Sequence, residues 1–495
     1  MNPEQHLSAL YKQIYGSGPR AIAKLPGAGS GRCYFRLFSS AEAEVNGAPA
    51  TVIGTYGGDA AENRAFVGLS ADFSQKGLPV PEILGCDLDN GVYLQQDLGD
   101  KSLYDLLKEE KSSGGFSPKA VNALSYAVDM LVGFQYAGGH GLDFAMCYPE
   151  PSMNRDMIEG DLNYFKYCFL KPSGAEFDEL ELRADFNELS GRLWAAAKDA
   201  TTFMVRDFQS RNIMVAEDGA QYLIDYQGGR RGPVEYDVAS FLWQARAGLS
   251  DGLREVLIER YIASACKASA DFNAQLFRRN LPYFVLFRLL QVLGAYGFRG
   301  WQEGKAQFII TIPAALDSLL GLLDRELPGR FPAIRKAVEA VKSAPKVQLL
   351  KAELALPAFE GLTVKVFSFS YKKGVPADVS GNGGGFLFDC RAVHNPGRFD
   401  EYKPLTGRDE PVRRFLEENG EILEFLSHCK ALVFASVDRY LSRGFTSLSV
   451  GFGCTGGRHR SVYSAESMAH AIKERNPEVG VVLEHVEQKI FEVLI

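Results

Sequence analysis

The sequence predicts two folded parts, an α+β bilobal domain and then a smaller α/β domain. The first hundred residues contain alternating strand-like stretches, and residues 101–340 show largely helical apolar spacing. Strand-like and helical stretches alternate after residue 361, which is typical of an α/β layer. The predicted organisation is a strand-rich lobe at 1–100, a helical lobe at 101–340, a linker at 341–360 and the α/β domain at 361–495.

Composition places the chain among ordinary globular proteins. It has 495 residues, 46% apolar and 23% charged, and its net charge of −7 gives no bulk attraction to nucleic acid or anionic membranes. We find neither a signal-peptide pattern nor an apolar run near the ~20 residues that a membrane span needs. The eight cysteines are scattered and form no C-x-x-C pair. We therefore expect a cytoplasmic protein with reduced thiols and no membrane partner, and leave its oligomeric state open.

The strand-rich lobe is predicted from three stretches of the sequence. Residues 20–57 alternate in a strand-like way around a glycine-rich break, and residues 59–77 have the apolar spacing of a helix. Residues 80–100 form two further strand-like runs, joined by an Asp-Asn-Gly turn. Together these stretches predict a small antiparallel sheet with one helix.

The most informative stretch of the helical lobe is residues 204–242, MVRDFQSRNIMVAEDGAQYLIDYQGGRRGPVEYDVASFL. Asp207 and Asn212 are five apart in a polar loop, and Asp225 follows an apolar strand. Phosphoryl transfer needs one carboxylate to orient the acceptor hydroxyl and take its proton, and hard oxygen ligands to hold Mg²⁺ against phosphates. A lone Asp and Asn at this spacing also occur as loop-amide acceptors. The strand before Asp225 and the order of the two lobes favour the catalytic interpretation.

The blocks VRDFQSRNIM, LIDYQGG and GPVEYDVASFL resemble the aminoglycoside phosphotransferase-like kinases. Within that family they look most like the N-acetylmuramate/N-acetylglucosamine anomeric kinases, over about residues 15–325. The resemblance implies a protein-kinase-like fold, with Asp207 as catalytic base, Asn212 and Asp225 as magnesium ligands and Asp237 as a structural brace. It also implies ATP and Mg²⁺ as cofactors.

The resemblance further implies a small-molecule acceptor, an N-acetylated amino sugar of cell-wall recycling. We expect the helical lobe to recognise it, through the region from Tyr148 to Tyr167 and through Gln227. Aromatic residues at helical spacing in this region are more often core residues than ligand contacts.

The nucleotide site is predicted in the strand-rich lobe. The hairpin PGAGSGRCYFRL (26–37) would fold over the phosphates, and LQQDLGD (94–100) lies where the adenine would meet the interlobe backbone. A glycine-rich hairpin alone usually marks only a turn. The predicted nucleotide-binding residues are Gly27, Gly29, Ser30, Gly31, Arg32, Glu62, Gln96, Asp97 and Leu98.

Two departures from the kinase pattern leave an alternative open. Val205 stands where a histidine usually precedes the Arg-Asp pair, and the strand TVIGTYG offers Thr55 or Tyr56 where kinases place a phosphate-pairing lysine. Arg32 or Arg36 of the hairpin could supply that charge. A pseudokinase scaffold that binds RNA or a metabolite therefore remains the alternative to an active kinase.

In the α/β domain a strand leads through GCTGGRHRS into a helix, so backbone N–H groups would converge on one anion. The spacing of Cys454 and Arg460 also fits a cysteine-dependent phosphatase, but only Asp389 and Asp409 are available as leaving-group acids, by location alone. A bifunctional phosphatase–kinase is thus a third alternative to binding without hydrolysis. The predicted anion-binding residues are Cys454, Thr455, Gly456, Gly457, Arg458, His459, Arg460 and Ser461.

The blocks FLFDCRAVHNP, YKPLTGRDEPVRRFL and GCTGGRHRSV resemble the C-terminal domain of the RNase adapter protein RapZ, over about residues 361–490. The resemblance implies a phosphate or sugar-phosphate ligand, or a regulatory RNA. This chain has no G-x-x-x-x-G-K-[ST] motif, which that family carries in a preceding ATPase domain. Balanced charges after residue 361 favour one small phosphorylated ligand over RNA.

Overall fold

The computed structural model describes residues 2–26, 31–112, 115–244, 247–354, 361–376, 378, 384–418 and 420–494. The chain divides into two compact units. The first unit comprises Met1–Asn163, Asp178–Val292 and Ser318–Ala333, and the second comprises Tyr164–Phe177, Leu293–Asp317 and Ile334–Ile495.

The first unit begins with the antiparallel five-stranded sheet that the alternating pattern predicts. Its spatial order is β1-β2-β3-β5-β4. Tyr34 of β2 lies opposite Thr55 of β3, so Phe35 and Leu37 point to the other face, where both are buried. The strands are β1 Ala21–Lys24, β2 Cys33–Phe38, β3 Thr51–Tyr56, β4 Ile83–Asp87 and β5 Val92–Gln96.

Three helices accompany this sheet. The first packs its buried face, including Leu7 and Leu10, against the apolar side of β2 and β3. The third starts at Asp59, whose carboxylate accepts from the backbone N–H groups of Ala61 and Glu62. These helices are α1 Pro3–Tyr15, α2 Ala41–Val45 and α3 Ala60–Gln75.

The chain from 101 to 325 is mainly helical, as its apolar spacing predicts. Its helices are α4 Leu103–Glu109, α5 Pro118–Gly133, α6 Arg155–Phe165, α7 Lys171–Ser173, α8 Glu179–Ala197, α9 Val234–Leu242, α10 Asp251–Ala268, α11 Ala274–Tyr296, α12 Ala306–Ile309 and α13 Ile312–Arg325. Short antiparallel pairs interrupt it, namely β6 Lys111–Ser112 with β7 Gly115–Phe116, β8 Phe203–Met204 with β11 Arg230–Arg231, and β9 Ile213–Val215 with β10 Gln221–Leu223.

Two helical stretches are long and apolar enough to cross a membrane, by length and composition. They are Ala274–Gln302 and Ala306–Arg325, and 67% and 50% of their most apolar windows are buried inside the protein. Helices of a protein core pass the same test, so this is weak evidence for a membrane span. Neither stretch is an uninterrupted apolar run, because charged residues such as Arg288 and Asp317 divide them.

The stretch 341–360, predicted as a linker without a clear period, contains regular structure. Helix α14, Pro332–Ser343, is followed by α15, Pro345–Leu354. Val347 and Leu350 of α15 are buried. Proline fits the first turn of a helix, where its missing N–H would lack an intrahelical partner. Residues 355–360 lie outside the described part of the chain.

The α/β part of the second unit contains a mixed sheet ordered β13-β14-β12-β15-β16. All its neighbours are parallel except β15 and β16. The strands are β12 Thr363–Ser370, β13 Gly385–Asp389, β14 Ser447–Cys454, β15 Gly480–His485 and β16 Ile490–Leu494. The helices are α16 Glu410–Glu418, α17 Glu421–Ser442 and α18 Arg460–Arg475. The first three strands and all three helices lie in stretches whose pattern predicts them, although α16 and α17 fall in one continuous helical stretch, and the last two strands were not predicted. The glycine-rich composition of Gly381–Gly385 predicts a flexible loop. Residues 381–383 lie outside the described part, and Gly385 is the first residue of β13.

Candidate functional site

The predicted catalytic loop lies between β8 and the β9–β10 hairpin. Asn212 ends a short 3₁₀ turn, and its carbonyl oxygen accepts from the N–H of Ile224 at 2.9 Å. This bond joins the loop to the segment that follows β10, which leads directly into Asp225. The hairpin therefore brings together residues that are thirteen positions apart in the sequence.

Asp207, Asn212 and Asp225 lie close together in this loop. The Asn212 side-chain amide donates to the Asp207 carbonyl at 2.9 Å and to Asp225 Oδ2 at 3.4 Å. Gln227 Nε2 donates to Asp225 Oδ1 at 2.9 Å. Gln227, predicted to contact the sugar, is thus placed to orient Asp225. The 38% exposed side chain of Asp207 remains open to an acceptor.

The Asp225 carboxylate is in a strongly desolvated environment. Burial raises the pKa of Asp225, the nearby Asp207 carboxylate acts in the same direction, and the Gln227 hydrogen bond opposes both. The backbone of Asp225 has φ 63°, which non-glycine residues rarely adopt. The Asp225 carboxylate and the Asn212 amide oxygen, with the Asp207 carboxylate nearby, fit Mg²⁺, which prefers oxygen ligands and relieves like-charge repulsion.

Asp237 contacts the backbone of the catalytic loop. Its carboxylate accepts from the N–H groups of Val205 and Arg206, both at 2.8 Å, and from Gln135 Nε2 at 3.2 Å. Burial raises the pKa of Asp237 to about 7, while these three donors act to lower it. Because the contact at Val205 is made by its backbone, the loss of the usual histidine side chain leaves this support intact.

The side chain of Arg32 is buried. It is only 4% exposed, and its Nη2 lies 3.6 Å from Glu62 Oε1 of α3. Its guanidinium also donates to Tyr93 Oη at 3.3 Å and to Asn63 Oδ1 at 3.4 Å. Its charge is near enough to Asp225 to favour the ionised carboxylate. A cation paired with the helix glutamate and acting on Asp225 is thus present, although it comes from the residue before β2 and not from β3.

Arg36, the other predicted substitute for the lysine, is engaged elsewhere. It forms a bidentate ion pair with Asp97, at 2.6 and 3.1 Å, and a second pair with Asp100. These bonds connect β2 to the interlobe segment. The Asp97 carboxylate is thereby used to hold that segment, and the N–H of Gln96 donates to the Glu82 carbonyl.

The structure leaves several predicted nucleotide contacts as predictions. Gly27, Gly29 and Ser30 lie outside the described residues. Gly31 is described, and a side chain built there would meet no atom within 4 Å. Leu98 lies half-buried in the interlobe segment.

One functional candidate was missed from the sequence. Arg288 of α11 is 8% exposed, and its Nη2 lies 3.5 Å from Asp207 Oδ1. A single charged residue inside the apolar run FVLFRLL was the available signal, because such residues are rarely buried unless they are paired.

The loop of the α/β domain joins the end of β14 to the start of α18. Cys454 is 3% exposed, and its Sγ lies 3.1 Å from Ser461 Oγ. Burial acts to raise the pKa of Cys454, but Ser461, the backbone N–H of Arg458 and the Arg460 charge outweigh it, so the pKa is lowered. The surroundings of the sulfur therefore favour negative charge.

The basic side chains of this loop contact neighbouring backbone. Arg458 donates to the carbonyls of Pro404 and Leu405, and His459 Nε2 lies 2.9 Å from the Tyr402 carbonyl. Arg460 Nη1 donates to the carbonyls of Arg391 and Val393, both at 2.8 Å. These residues connect the loop to the segment 391–405. Anion binding there stays a prediction, now centred on backbone N–H groups near the glycines 456 and 457 and on Thr455.

Neither nominated leaving-group acid contacts the cysteine. Asp389 is paired with Arg391, whose Nη2 lies 2.6 Å from its Oδ2. Asp409 accepts from the N–H and the hydroxyl of Thr406. The geometry therefore offers no support for hydrolysis by Cys454.

Two family models match the chain. Residues 52–272 match the Phosphotransferase enzyme family, and residues 362–489 match the RapZ C-terminal domain. These regions coincide with the Asp207 site and with the Cys454 loop. Both resemblances predicted from the sequence are confirmed at the level of the domain.

Curated relatives match with about 39% identity. A nucleotide-binding protein of Xanthomonas axonopodis pv. citri is 39% identical over 137 residues, 28% of this chain and 46% of that protein. A nucleotide-binding protein of Xanthomonas campestris pv. campestris is 39% identical over 187 residues, 37% of this chain and 62% of that protein. The chain thus spans about half the length of these relatives.

Solved structures align at low identity. A Plasmodium vivax ethanolamine kinase aligns with a TM-score of 0.43 and 12% identity, over 60% of this chain and 82% of the ethanolamine kinase chain. The gentamicin–APH(2″)-IIa complex aligns with a TM-score of 0.43 and 9% identity, over 64% of this chain and 96% of its own.

Proposed function

We propose that this chain, which joins a domain of the Phosphotransferase enzyme family to a RapZ C-terminal domain, transfers the γ-phosphoryl group of ATP to a hydroxyl group of a small molecule. The observation that carries the proposal is the convergence of Asp207, Asn212 and Asp225 within one braced loop. The acceptor we propose is an N-acetylated amino sugar, and the location is the cytoplasm, where eight free cysteines are expected.

Each residue of the site has a separate role in the proposed reaction. Asp207 orients the acceptor hydroxyl and takes its proton as the oxygen bonds to the γ-phosphorus and the bond to the ADP oxygen breaks. Asn212 and Asp225 would hold Mg²⁺, which supplies charge neutralisation on the phosphates when it is bound. Arg32, held by Glu62, is placed to pair with the phosphates.

The pseudokinase alternative is weakened by the same contacts. Its main support was the absence of a lysine on β3. Arg32 provides a buried cation with a glutamate partner on α3, so the charge that the lysine would supply is present. The brace from Asp237 is also complete without the missing histidine.

For the second part of the chain we propose binding of a small phosphorylated ligand that regulates the kinase. The loop N–H groups favour an anion near Cys454. Arg458 and Arg460, the cations closest to the loop, donate to backbone carbonyls, which favours a small ligand over RNA. RNA binding that falls steeply with salt and is lost on replacing both arginines would favour the adapter role instead.

The proposed kinase activity is tested by replacing Asp207 with asparagine. ATP- and magnesium-dependent phosphorylation of a panel of N-acetylated sugars and other alcohols should be measurable for the wild-type chain. Asp207→Asn should lower the turnover rate by a factor on the order of 10²–10⁴, because the general base is lost. Asp218→Asn is the control, because Asp218 is an exposed turn residue that accepts from the N–H of Ala220.

The outcome of this panel is decisive in either direction. If saturating ATP and Mg²⁺ give no transfer to any acceptor, the scaffold interpretation replaces the kinase. If transfer occurs and survives Asp207→Asn, the assignment of the base is wrong although the activity stands.

A further inference from the structure

Arginine side chains gather beside the catalytic base. Arg288 lies 3.5 Å from Asp207, and its Nη1 donates to the Tyr236 hydroxyl at 3.3 Å. Arg206, next to Asp207 in the sequence, shares these surroundings, because Tyr236, Asp207 and Asp161 all favour its charged form and raise its pKa. Neither arginine is required by the metal or nucleotide sites described above.

A third arginine lies in the same cluster. Arg230 is fully buried, and its guanidinium donates to the carbonyls of Gly228 and Tyr148. Burial and the positive charge of Arg206 together lower the pKa of Arg230 to about 10. Arg230 donates to backbone carbonyls, and it shares the Asp161 carboxylate with the other two arginines.

Two carboxylates face these three arginines in the described part of the chain. Asp161 interacts with all three and accepts from Gln291 Nε2 at 2.8 Å, while Asp207 contacts Arg288. Asp225 lies on the other side of Asp207, where the proposed Mg²⁺ would bind. The acceptor side of Asp207 therefore carries more positive than negative charge, in surroundings where burial strengthens each interaction.

A buried excess of positive charge is costly unless a bound anion compensates it. The Arg206 backbone has φ 73°, which non-glycine residues rarely adopt, and the Asp237 carboxylate holds it there by accepting its N–H. Strained residues of this kind are concentrated at ligand sites. The planar guanidinium fork suits an oxyanion, which it binds through two parallel hydrogen bonds.

We infer that the acceptor carries an oxyanion, a carboxylate or a phosphate monoester, close to the hydroxyl that is phosphorylated, and that Arg288 and Arg206 bind it. This inference rests on the proposed function and narrows its substrate to acidic sugars and similar hydroxy acids. Cationic acceptors, such as aminoglycosides and amino alcohols, would meet like charge beside Asp207 and bind poorly.

The test compares acceptors that differ in one charged group. N-acetylmuramate and its methyl ester differ only in the carboxylate, and N-acetylglucosamine 6-phosphate and N-acetylglucosamine differ only in the phosphate. The anionic member of one pair should have the higher kcat/KM, by about 10- to 100-fold, as expected for a charge-assisted hydrogen bond. Which pair shows the preference identifies the oxyanion.

Arg288→Gln should lower kcat/KM for both members of that pair, because Arg288 also contacts Asp207. It should lower kcat/KM more for the anionic member, which loses a charged partner, so the ratio of the two values should fall towards one. Arg278→Gln is the matched control on the same helix, since Arg278 is exposed and pairs with Glu255 and Glu259. If thermal melting shows that Arg288→Gln does not fold, Arg206→Gln serves as the second variant.

Binding measured by calorimetry, with a non-hydrolysable ATP analogue and Mg²⁺, separates the two proposals. Acidic sugar that binds in an Arg288-dependent way, without transfer, would sustain the inference and remove the kinase function. Transfer to neutral and anionic acceptors at equal kcat/KM would overturn the inference and leave the kinase function standing. Absence of any binding preference for the anion in the wild-type chain would also overturn it.

Discussion

At the scale of single residues, Arg32 shows how the charge of a missing lysine can come from another segment of the chain. Arg32 immediately precedes β2, whose first residue, Cys33, lies opposite Tyr56 at the end of β3. A long side chain from this position can therefore reach the region that a β3 side chain would occupy. The sequence offered Arg32 and Arg36 as equivalent candidates, and only their contacts, with Glu62 and with Asp97, separate them.

Replacing Arg32 should weaken the use of ATP. Arg32→Met should lower kcat/KM for ATP by about 100-fold, since a charge-assisted hydrogen bond to phosphate is lost, and Arg32→Lys should retain more activity because the charge remains. Steady-state kinetics with varied ATP would measure this. Arg20→Met, at an exposed arginine of the same lobe, is the control. An unchanged Arg32→Met enzyme would show that another group pairs with the phosphates.

Cys454 should not be a nucleophile. The sulfur is 3% exposed, and the two nominated acids are engaged with Arg391 and Thr406. We therefore expect Cys454→Ser to leave phosphoryl transfer unchanged, and the wild-type chain to hydrolyse p-nitrophenyl phosphate no faster than this variant. Hydrolysis by the wild-type chain that disappears in Cys454→Ser would instead support the bifunctional phosphatase–kinase.

At the scale of elements, local patterns predicted most of what positions the candidate site. Alternation predicted the antiparallel sheet, and the short spacing from Asp207 to Asp225 predicted a loop that one hairpin could close. Arg288 could not be predicted in the same way, because it comes from a distant helix whose pattern indicates only a buried core. Its role depends on how α11 packs beside the loop, which is a tertiary contact.

Helix α9 carries acidic residues into the core, and this has a consequence for stability. Burial raises the pKa of Glu235 to about 7, so the folded protein binds a proton there more tightly than the unfolded chain does. Stability should therefore fall as pH rises from about 4.5 to 7 and stay reduced above that, by about 3 kcal/mol at most. Asp237 acts in the same direction.

Glu235→Gln should flatten part of this dependence, because the amide stays neutral and still accepts from Asn280 Nδ2. Thermal unfolding between pH 5 and 8 should show a smaller decline for the variant and greater stability than wild type at pH 8. Glu217→Gln, at an exposed position, is the control. A variant with an unchanged decline would show that Glu235 is ionised throughout this range.

At the scale of the whole molecule, composition predicted two folded parts but not how the helices are distributed between the compact units. Proline-containing stretches without a clear period are typical of linkers, and residues 341–360 were interpreted in that way. The second unit nevertheless includes α15 together with Tyr164–Phe177 and Leu293–Asp317. Segments that are distant in sequence are joined by side-chain packing. The apolar periodicity of a single segment does not indicate which other segment it packs against.

Contacts within this second unit show what a chain ending at residue 340 would lose. Lys342 and Lys351 both pair with Asp317, at 2.7 and 3.3 Å, and Lys346 lies 4.4 Å from the centre of the Trp301 ring. Partial burial of the ammonium group lowers the pKa of Lys346 to about 8, although the residue as a whole is exposed.

A chain that ends at residue 354 should therefore be more stable than one that ends at residue 340. The shorter chain loses the buried side chains of Val341, Val347 and Leu350, each worth about 1.5–3 kcal/mol, together with the ion pairs to Asp317. Thermal melting of the two chains, each purified with the same flanking residues, should show a lower midpoint or aggregation for the shorter one. Equal midpoints would mean that α15 contributes nothing to the fold of the preceding helices, and that residue 340 is a true boundary.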